Sequence, residues 1–406
     1  MLDGRQPRVI VTDAGRGSAV AIIRSLGRRG WYVIAADADR PSPGFHSRFA
    51  GATFRYPSPA VHPDAVPRAL LRAALEHQAD LIMPVTDEVI LPLAANRALF
   101  PASCTLAIPR DELLRVTSDK QETLELARRV GVPTPPSSMV STTKAAVRRA
   151  REIGWPVVLK PRSSRIYRQG GRDLDFLSVT YANNEEQLKE RMRQYEGRCE
   201  VLLQGFCEGE AHGVELLLQD GRPLVAFQHR RLREVPVTGG ASSFRESVPL
   251  DPTLHDYALR LLGSIGWTGL AMVEFKVGRD GPRLMEINGR VWGSLPLAVR
   301  AGVDFPGLAA ELYLFGGLRS AAPRSYRIGV RSRNLELDTV WIASVLRGKR
   351  RHPYLPWPRR GEALRAILSM LDRDQALDLF SRDDPAPGLA EVAKIVGDMR
   401  RKLRAA

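Results

Sequence analysis

The chain has 406 residues, and its 60 lysines and arginines exceed its 45 aspartates and glutamates to give a formal net charge of +15. A hydrophobic fraction of 44% and a charged fraction of 26% are ordinary for a folded protein, and they exclude wholly disordered, collagen-like and disulfide-framework chains. The length predicts two or three domains, and the charge raises the question of a nucleic-acid or membrane-surface partner.

Targeting and membrane signals are missing from the sequence. The first apolar run, residues 9–11, is far too short for the core of a signal peptide, and no stretch approaches the roughly 18 apolar residues of a membrane span. The cysteines Cys104, Cys199 and Cys207 show no Cys-x-x-Cys spacing, so neither disulfides nor a zinc cluster are indicated. We therefore expect a cytoplasmic protein with no membrane partner.

The first hundred residues alternate short strands with helices. This alternation predicts a parallel sheet covered by helices. The predicted strands span residues 8–12, 31–36, 80–84 and 105–108, and the helices 18–29, 66–77 and 88–98. The turn at residues 12–18, with Asp37 after the next strand, resembles a dinucleotide-binding fingerprint but lacks its third glycine, which favours a plain turn between strand and helix.

A proline-rich segment at residues 131–136 is the clearest boundary signal, because it ends the helix predicted over 120–130 and forces an extended connection. A helix over 142–153 and a strand over 156–160 follow, and the chain after about residue 318 is predicted to be mostly helical around a loop at 352–358. We expect a loop over 162–173 that closes on phosphate through small, hydroxyl and basic residues. These are Ser163, Ser164, Arg165, Arg168, Gly170, Gly171 and Arg172.

The most informative segment spans residues 274–290, which we interpret as two strands joined by a glycine turn at 280–281. Because side chains alternate between the faces of a strand, Glu274, Glu286 and Asn288 share one face, and the two carboxylates lie almost opposite each other. Facing carboxylates repel unless a cation lies between them, and two carboxylates with an amide oxygen suit Mg²⁺. The alternative is a surface hairpin with solvated acids, in which Lys276 neutralises one of them.

Two lysines and one strand end complete the candidate set. Lys120 begins a predicted helix, and Lys160 ends the apolar strand before the phosphate loop. The strand over 201–204 leads into Gly205, Phe206 and Cys207, where backbone groups would reach an adenine edge and a ring its face. Taken singly, each of these elements is better explained as an ordinary solvated lysine or an ordinary strand and turn.

In this order the motifs resemble the ATP-grasp superfamily. The match rests on Asp119-Lys120, Val158-Leu159-Lys160-Pro161, Leu203-Gln204-Gly205-Phe206 with Gly209-Glu210, and Glu274 followed by Glu286-Ile287-Asn288-Gly289-Arg290. It covers residues 8 to about 317. Segments 229–234, 238–243 and 291–294 are similar to the carboxylate–amine ligase branch.

The resemblance implies an α/β fold class, with α+β character in the grasp domains and a helical C-terminal extension. The expected domains are a parallel-sheet pre-grasp domain over 1–116, an ATP-grasp domain of two subdomains over 117–317, with the small lobe near 133–205, and the extension over 318–406. The implied cofactors are ATP and Mg²⁺, with Mn²⁺ as an alternative metal.

The resemblance also implies a role for each site residue. Lys120 and Lys160 would bind the ATP phosphates, and Glu274, Glu286 and Asn288 the metal. Arg290 would stabilise the transferring phosphoryl group. The adenine would lie against Gln204, Gly205, Phe206 and Cys207, and the ribose against Glu210, with His212 or Glu208 as alternatives.

The implied reaction activates a small-molecule carboxylate as an acylphosphate, which an amine then displaces. Arg231 and Arg233 are candidate anchors for the carboxylate, since a guanidinium binds it bidentately. A solvated charged loop explains these two arginines equally well. The glycine-rich segment 238–243 is expected to close over the acceptor and exclude water.

Alternatives remain at the level of function. Bicarbonate or a thiol would be a different acceptor on the same fold. A protein of another class would be a basic adaptor for nucleic acid or an anionic surface, built on a degenerate nucleotide fold. It would use Arg347, Lys349, Arg350, Arg351, Arg359 and Arg360, with Tyr354 and Trp357 between them. A solvated loop explains this run better, so nucleic acid is disfavoured as a partner, and a homo-oligomer is left open.

Overall fold

A computed structural model describes residues 5–39, 42–162, 165–167, 174–176, 179–348, 354–372 and 374–404. The described residues form three main sheets: a parallel sheet at the N-terminus, a small antiparallel sheet and a large sheet that carries the candidate site. Within these residues, the helices all fall short of the length and apolar character needed to cross a bilayer.

The N-terminal sheet is parallel, with strand order β3-β2-β1-β4-β5, which confirms the prediction of a helix-covered parallel sheet. Strand β1 is apolar and almost wholly buried, as expected for a strand covered on both faces. Strand β3 was not predicted, because its four residues are half-buried or exposed and carry no continuous apolar run. The elements are β1 (Arg8–Val11), α1 (Gly17–Arg28), β2 (Tyr32–Asp37), β3 (Ala52–Arg55), α2 (Ala65–Glu76), β4 (Leu81–Met83), α3 (Asp87–Ala95) and β5 (Thr105–Leu106).

Side chains of the protein pack against the turn between β1 and α1 and form hydrogen bonds with it. A Cβ at Gly17 would come within 3.0 Å of Leu379 in the C-terminal region. The Asp37 carboxylate accepts hydrogen bonds from the Gly15 N–H (2.6 Å) and the Ser42 hydroxyl (2.8 Å). These contacts agree with a plain turn, as the missing third glycine indicated.

The middle of the chain forms the small lobe, an antiparallel sheet of order β10-β7-β11-β6 that packs on α6 and α7. The expected loop over 162–173 is partly wrong, since β8 and β9 form a short antiparallel hairpin. Ser163, Ser164, Arg168, Gly170, Gly171 and Arg172 lie outside the described residues. The elements are α4 (Asp111–Ser118), α5 (Lys120–Arg129), β6 (Ser137–Val140), α6 (Thr143–Ile153), β7 (Val157–Pro161), β8 (Arg165–Tyr167), β9 (Leu174–Phe176), β10 (Thr180–Ala182), α7 (Glu185–Met192) and β11 (Val201–Gly205).

The large sheet has seven strands in the order β16-β15-β12-β13-β14-β17-β18. One face packs on α5 and α8 around Leu261 and Trp267, and the other packs on α9 and α10, whose apolar side chains continue into the core of the N-terminal sheet. The N-terminal sheet and the large sheet therefore share one core. The elements are β12 (Glu210–Gln219), β13 (Arg222–Val235), β14 (Ala241–Ser247), α8 (Pro252–Ser264), β15 (Gly269–Gly278), β16 (Gly281–Asn288), α9 (Leu295–Ala301) and α10 (Phe305–Phe315).

The C-terminal region is mostly helical, as predicted, but it also completes the large sheet. Its elements are β17 (Arg331–Arg333), α11 (Leu335–Arg347), α12 (Arg360–Leu368), β18 (Gln375–Leu377) and α13 (Ala386–Arg404). Strand β17 pairs antiparallel with β14, and β18 pairs parallel with β17. Asp384 binds Arg24 of α1 at 2.9 Å, so this region also joins the N-terminal domain. Lys349, Arg350 and Arg351 of the basic run lie outside the described residues.

Glu391, a buried residue of α13, makes the folding stability depend on pH. Burial, with the nearby charges of Asp378 and Glu336, raises the pKa of this carboxyl to about 7. The folded state then holds a proton that the unfolded chain releases near pH 4.5, so stability falls as the pH rises from about 4.5 to 7. We expect Glu391→Gln to match wild type near pH 4.5 and to be more stable above pH 7 by ~1–3 kcal/mol.

Urea unfolding at a series of pH values measures this difference. Glu76→Gln, at an exposed site on α2, is the matched control and should run parallel to wild type. Equal stability of wild type and Glu391→Gln at pH 8 would contradict the prediction.

Candidate active site

The hairpin of β15 and β16 has the predicted register. Glu274 pairs directly with Glu286 across the two strands, and a β-bulge follows between Glu274 and Phe275. Phe275 and Ile287 are buried in the core on the opposite face. The hairpin therefore places two carboxylates side by side on the face that is turned away from this core.

Asn288 joins the two carboxylates. Its side-chain amide nitrogen donates to Glu274 Oε1 at 3.0 Å and to Glu286 Oε1 at 3.2 Å. The partial positive charge of the amide N–H groups offsets the repulsion between the acids. The structure thus brings all three predicted metal ligands together.

Arg231 reaches this site from β13. Its guanidinium forms an ion pair with Glu274, and it also binds Glu234 (3.2 Å) and the Gly240 carbonyl (2.9 Å). The side chain is only 9% exposed. Most of its donors are therefore used within the protein, so an anchoring role for Arg231 would require an incoming carboxylate to share these contacts.

Arg233, the other expected anchor, has a structural role. It binds the buried Asp338 carboxylate through two contacts of 3.0 Å, and its guanidinium carbon lies 4.7 Å from the centre of the Phe244 ring. Residues two positions apart normally share one face of a strand, so alternation alone would give Arg231 and Arg233 the same surroundings. A bulge near residue 232 interrupts the register of β13, and the two arginines bind different partners.

The two lysines come from different elements. Lys120 begins α5, where Asp119 caps the helix by accepting the Gln121 N–H at 2.8 Å. Lys160 lies on β7 between Leu159 and Pro161. Since Leu159 packs into the small-lobe core, alternation directs Lys160 to the opposite face of the sheet.

The charges of these lysines act on the hairpin without a direct ion pair to it among the described residues. Neighbouring protein atoms take part of the water away from Glu286, which would raise its pKa, but the positive charges of Lys160, Arg231 and Lys120 outweigh this effect and hold the pKa below its usual value. Burial lowers the pKa of both lysines, and the Glu286 charge opposes this shift. Glu286 remains exposed to solvent, so it is an accessible carboxylate with three cations around it.

Arg290 is held by a residue that the sequence analysis missed. Its Nε donates to Asp87 Oδ2 at 2.9 Å, and Nη1 donates to the Val291 carbonyl at 2.8 Å. Asp87 begins α3, directly after β4. The strand order reverses between β1 and β4, and such a switch point is where open α/β sheets place functional groups, so this rule would have found Asp87.

The strand end at Gly205 has two carbonyls without a partner in the strand ladder. The Gly205 N–H donates to the Pro136 carbonyl (2.8 Å) and the Phe206 N–H to the Pro156 carbonyl (3.0 Å). In an antiparallel ladder each opposite residue would return an N–H, but proline has none. The carbonyls of Gly205 and Phe206 are therefore left for an external donor.

The side chains around this strand end differ in accessibility. Gln204 is buried and donates to the Ser137 hydroxyl at 3.0 Å, while the Phe206 ring packs edge-on against Tyr181 at 6.1 Å. Cys207 is half-buried, and burial raises the pKa of its thiol. Gln204 therefore supports the strand end, whereas Phe206 and Cys207 border the accessible side.

Glu210 is exposed at the start of β12, 3.5 Å from His212 Nε2 and 3.8 Å from Arg230 Nη1. His212, an alternative for the same role, accepts a hydrogen bond at Nδ1 from the Gln228 side-chain amide nitrogen at 3.2 Å. The other alternative, Glu208, is exposed as well. Accessibility therefore leaves all three residues as candidates.

The donor set fits a hard divalent cation. Within the described part of the chain, no cluster of three or more His, Cys, Asp and Glu side chains suits a metal, so the candidate rests on two carboxylates and one amide. Burial and the charge of Glu286 raise the pKa of Glu274 to about 7, although the ion pair with Arg231 acts to lower it. Oxygen donors of this kind suit Mg²⁺.

Two family models cover the region that carries this geometry. A model described as an ATP-grasp domain matches residues 112–219, and one described as ATP-grasp in the biosynthetic pathway with Ter operon matches residues 198–336. The chain belongs to the ATP-grasp superfamily. The predicted superfamily is thus confirmed, as is the likeness to its carboxylate–amine ligase branch, which the following relatives support.

Among curated relatives, the carbamoyl phosphate synthase large chain of Rubrobacter xylanophilus is 28% identical over 242 residues, which cover 57% of this chain and 22% of the relative. The chain thus spans less than a quarter of the length of that relative. The biotin carboxylase of Campylobacter jejuni, solved as a β,γ-ATP complex, has a TM-score of 0.63 at 20% identity over 80% of this chain and 74% of its own. N5-carboxyaminoimidazole synthetase of Staphylococcus aureus has a TM-score of 0.61 at 15% identity over 86% and 87% of the two chains. These structures confirm the fold class.

Proposed function

We propose that the protein is an ATP-dependent ligase that activates a small-molecule carboxylate as an acylphosphate and joins it to an amine, releasing ADP and phosphate. The observation that carries the proposal is the pair of facing carboxylates, Glu274 and Glu286, joined by Asn288, with the charges of Lys120, Lys160 and Arg231 acting on Glu286. Such a mixture of cations and carboxylates suits a metal-bound triphosphate, since the lysines neutralise phosphate oxygens and the acids hold the metal.

In this proposal Glu274, Glu286 and Asn288 hold Mg²⁺ or Mn²⁺. When bound there, the metal would neutralise charge on the phosphates. Lys120 and Lys160 bind phosphate oxygens, and the charge of Glu286 opposes the lowering of the pKa of both lysines by burial. Arg290 stabilises the transferring group, held in place by Asp87.

The nucleotide base would lie at the strand end. The unpaired carbonyls of Gly205 and Phe206 suit the exocyclic amine of adenine, and the Phe206 ring and Cys207 border its face. Gln204 fixes the strand, and Glu210 is the proposed partner of the ribose. The C. jejuni enzyme of the same fold was solved with an ATP ligand, which supports a nucleotide in this chain.

The reaction balances without a nucleophilic side chain. A carboxylate oxygen of the substrate attacks the γ-phosphorus, the bond from this phosphorus to the β–γ bridging oxygen breaks, and ADP leaves. The amine then attacks the acyl carbon, loses one proton, and inorganic phosphate leaves. Phosphoryl transfer mainly requires that the reacting groups are positioned and that their charge is neutralised. The two lysines and Arg290 supply both.

A carboxylate-dependent assay tests the proposal. ADP release should require Mg²⁺ and a carboxylate, and hydroxylamine should trap the acylphosphate as a hydroxamate. We would screen amino acids, amino-sugar acids and hydroxy acids. Absence of carboxylate-dependent ADP release across the panel, together with tight, salt-sensitive DNA binding, would overturn the ligase in favour of the basic adaptor.

A further inference from the structure

A cavity of about 360 Å³ lies between β13 and the C-terminal helices α11 and α12. Its volume is typical of a small-molecule site. The sheet side is lined by Arg231, Leu232, Arg233, Glu234 and Val237, and the C-terminal side by Trp341, Pro358, Glu362 and Arg365. Both arginines that were predicted as carboxylate anchors, Arg231 and Arg233, line this cavity.

The cavity adjoins the proposed ATP site at two points. Arg231 lines it and forms the ion pair with Glu274 of the hairpin. Val237 is followed by Thr238, whose carbonyl accepts a hydrogen bond from Tyr181 at 3.2 Å, and Tyr181 packs against Phe206 at the strand end. A molecule in this cavity would therefore lie beside both parts of the site.

The lining holds three arginines, Arg231, Arg233 and Arg365, against two acids, Glu234 and Glu362, and this balance favours an anionic ligand. Behind the lining, Arg233 and Arg333 share the buried carboxylate of Asp338, at 3.0 and 2.7 Å, so one carboxylate faces two guanidinium groups. Arg365 is exposed and forms no ion pair with any described residue. The acid Glu234, in contrast, is already neutralised by Arg231 and Lys276, each at 3.2 Å.

Trp341, Val237 and Leu232 form an apolar part of the wall. Trp341 is buried in a cluster with Ile342 and Val345, against which Val237 packs, and the Arg233 guanidinium lies 4.9 Å from the centre of a Trp341 ring. Leu232 adds a partly exposed apolar surface. The cavity therefore combines cations with an apolar wall that suits a hydrocarbon body.

We infer that this cavity binds the carboxylate substrate of the proposed ligase, and that this substrate is a small organic acid with an apolar or aromatic body. The inference rests on the proposed function. The reacting carboxylate lies at the Arg231 end, next to the hairpin, and the body lies between Val237 and Trp341. Arg365 adds positive charge on the C-terminal side.

Two variants test this placement. Val237→Trp fills the cavity, and Arg365→Gln removes the cation that lacks a partner. We expect each to raise the KM for the acid in the ADP-release assay. Val237→Trp should raise it by roughly tenfold or more, because the indole takes up space that the acid needs, and Arg365→Gln by up to roughly fivefold, the usual worth of an exposed charged contact. The KM for ATP and kcat should stay unchanged. Val340→Trp, on the same helix as Trp341 but exposed, and Arg72→Gln, on the exposed face of α2, are the matched controls.

The probes are L-phenylalanine, L-leucine and phenylacetate, compared with glycine and acetate, and the larger acids should give the higher kcat/KM. An unchanged KM in both variants, or a preference for acetate and glycine, would overturn the cavity assignment while leaving the ligase intact. If Val237→Trp also changes kcat, the KM for the acid measured with Arg365→Gln, a substitution at an exposed position, decides whether the cavity binds the acid. Failure of every acid to support ADP release in the wild-type protein would instead reject the proposed function, and the cavity assignment with it.

Discussion

Replacing Glu286 by glutamine is expected to lower carboxylate-dependent ADP release by roughly 10²–10³-fold, the usual loss when a group that stabilises transition-state charge is removed. Glutamine keeps the shape of the side chain and removes its charge. Lys120 and Lys160 then lose the carboxylate that opposes the lowering of their pKa by burial. The metal also loses one of its two proposed carboxylates.

Initial rates of ADP release at saturating acid, over a series of Mg²⁺ concentrations, measure the effect. We expect the Mg²⁺ concentration for half-maximal rate to rise together with the fall in kcat. Asp280→Asn, at the exposed turn of the same hairpin, is the matched control and should behave as wild type. Retention of wild-type turnover by Glu286→Gln would sink the ligase assignment at this site.

The candidate site was predictable from sequence where short-range geometry decides it. The pairing of Glu274 with Glu286 follows from a glycine turn and the alternation of a strand, and the structure has that register. The position of Lys120 at the start of a helix follows from the capping residue Asp119 before it. The position of Lys160 at the end of a strand follows from the apolar run that ends there. That these residues meet in space was inferred from the family resemblance, because no local rule relates positions 120, 160 and 286.

Long-range contacts could not be predicted from the sequence. Strands β17 and β18 are three residues each, and the pairing of β17 with β14 and of β18 with β17 joins residues more than 40 positions apart. The cavity is formed by β13 and by helices a hundred residues later, so neither segment alone indicates it. Arg233 shows the same limit, since its structural role depends on Asp338, 105 residues along the chain.

Arg290 is the second residue whose loss should be severe. We expect Arg290→Gln to lower kcat by roughly 10²–10³-fold with a small change in the KM for ATP, because a cation that acts on the transferring phosphoryl group stabilises the transition state more than the bound substrate. Burial acts to lower the pKa of this guanidinium, but Asp87 outweighs that effect and keeps it raised. The side chain therefore stays charged and fixed at 2.9 Å from Asp87.

Asp87→Asn separates the charge of Arg290 from its orientation. Asparagine keeps one acceptor for Arg290 but removes the charge, so we expect a loss in kcat of roughly tenfold, smaller than that of Arg290→Gln. In the double variant the two losses should not add, since Asp87 acts through Arg290. Asp111→Asn, an exposed acid paired with Arg97, is the control for removing one negative charge from the N-terminal region. Additive losses in the double variant would show that Asp87 acts independently of Arg290, and an unchanged kcat in Arg290→Gln would remove Arg290 from the proposed reaction.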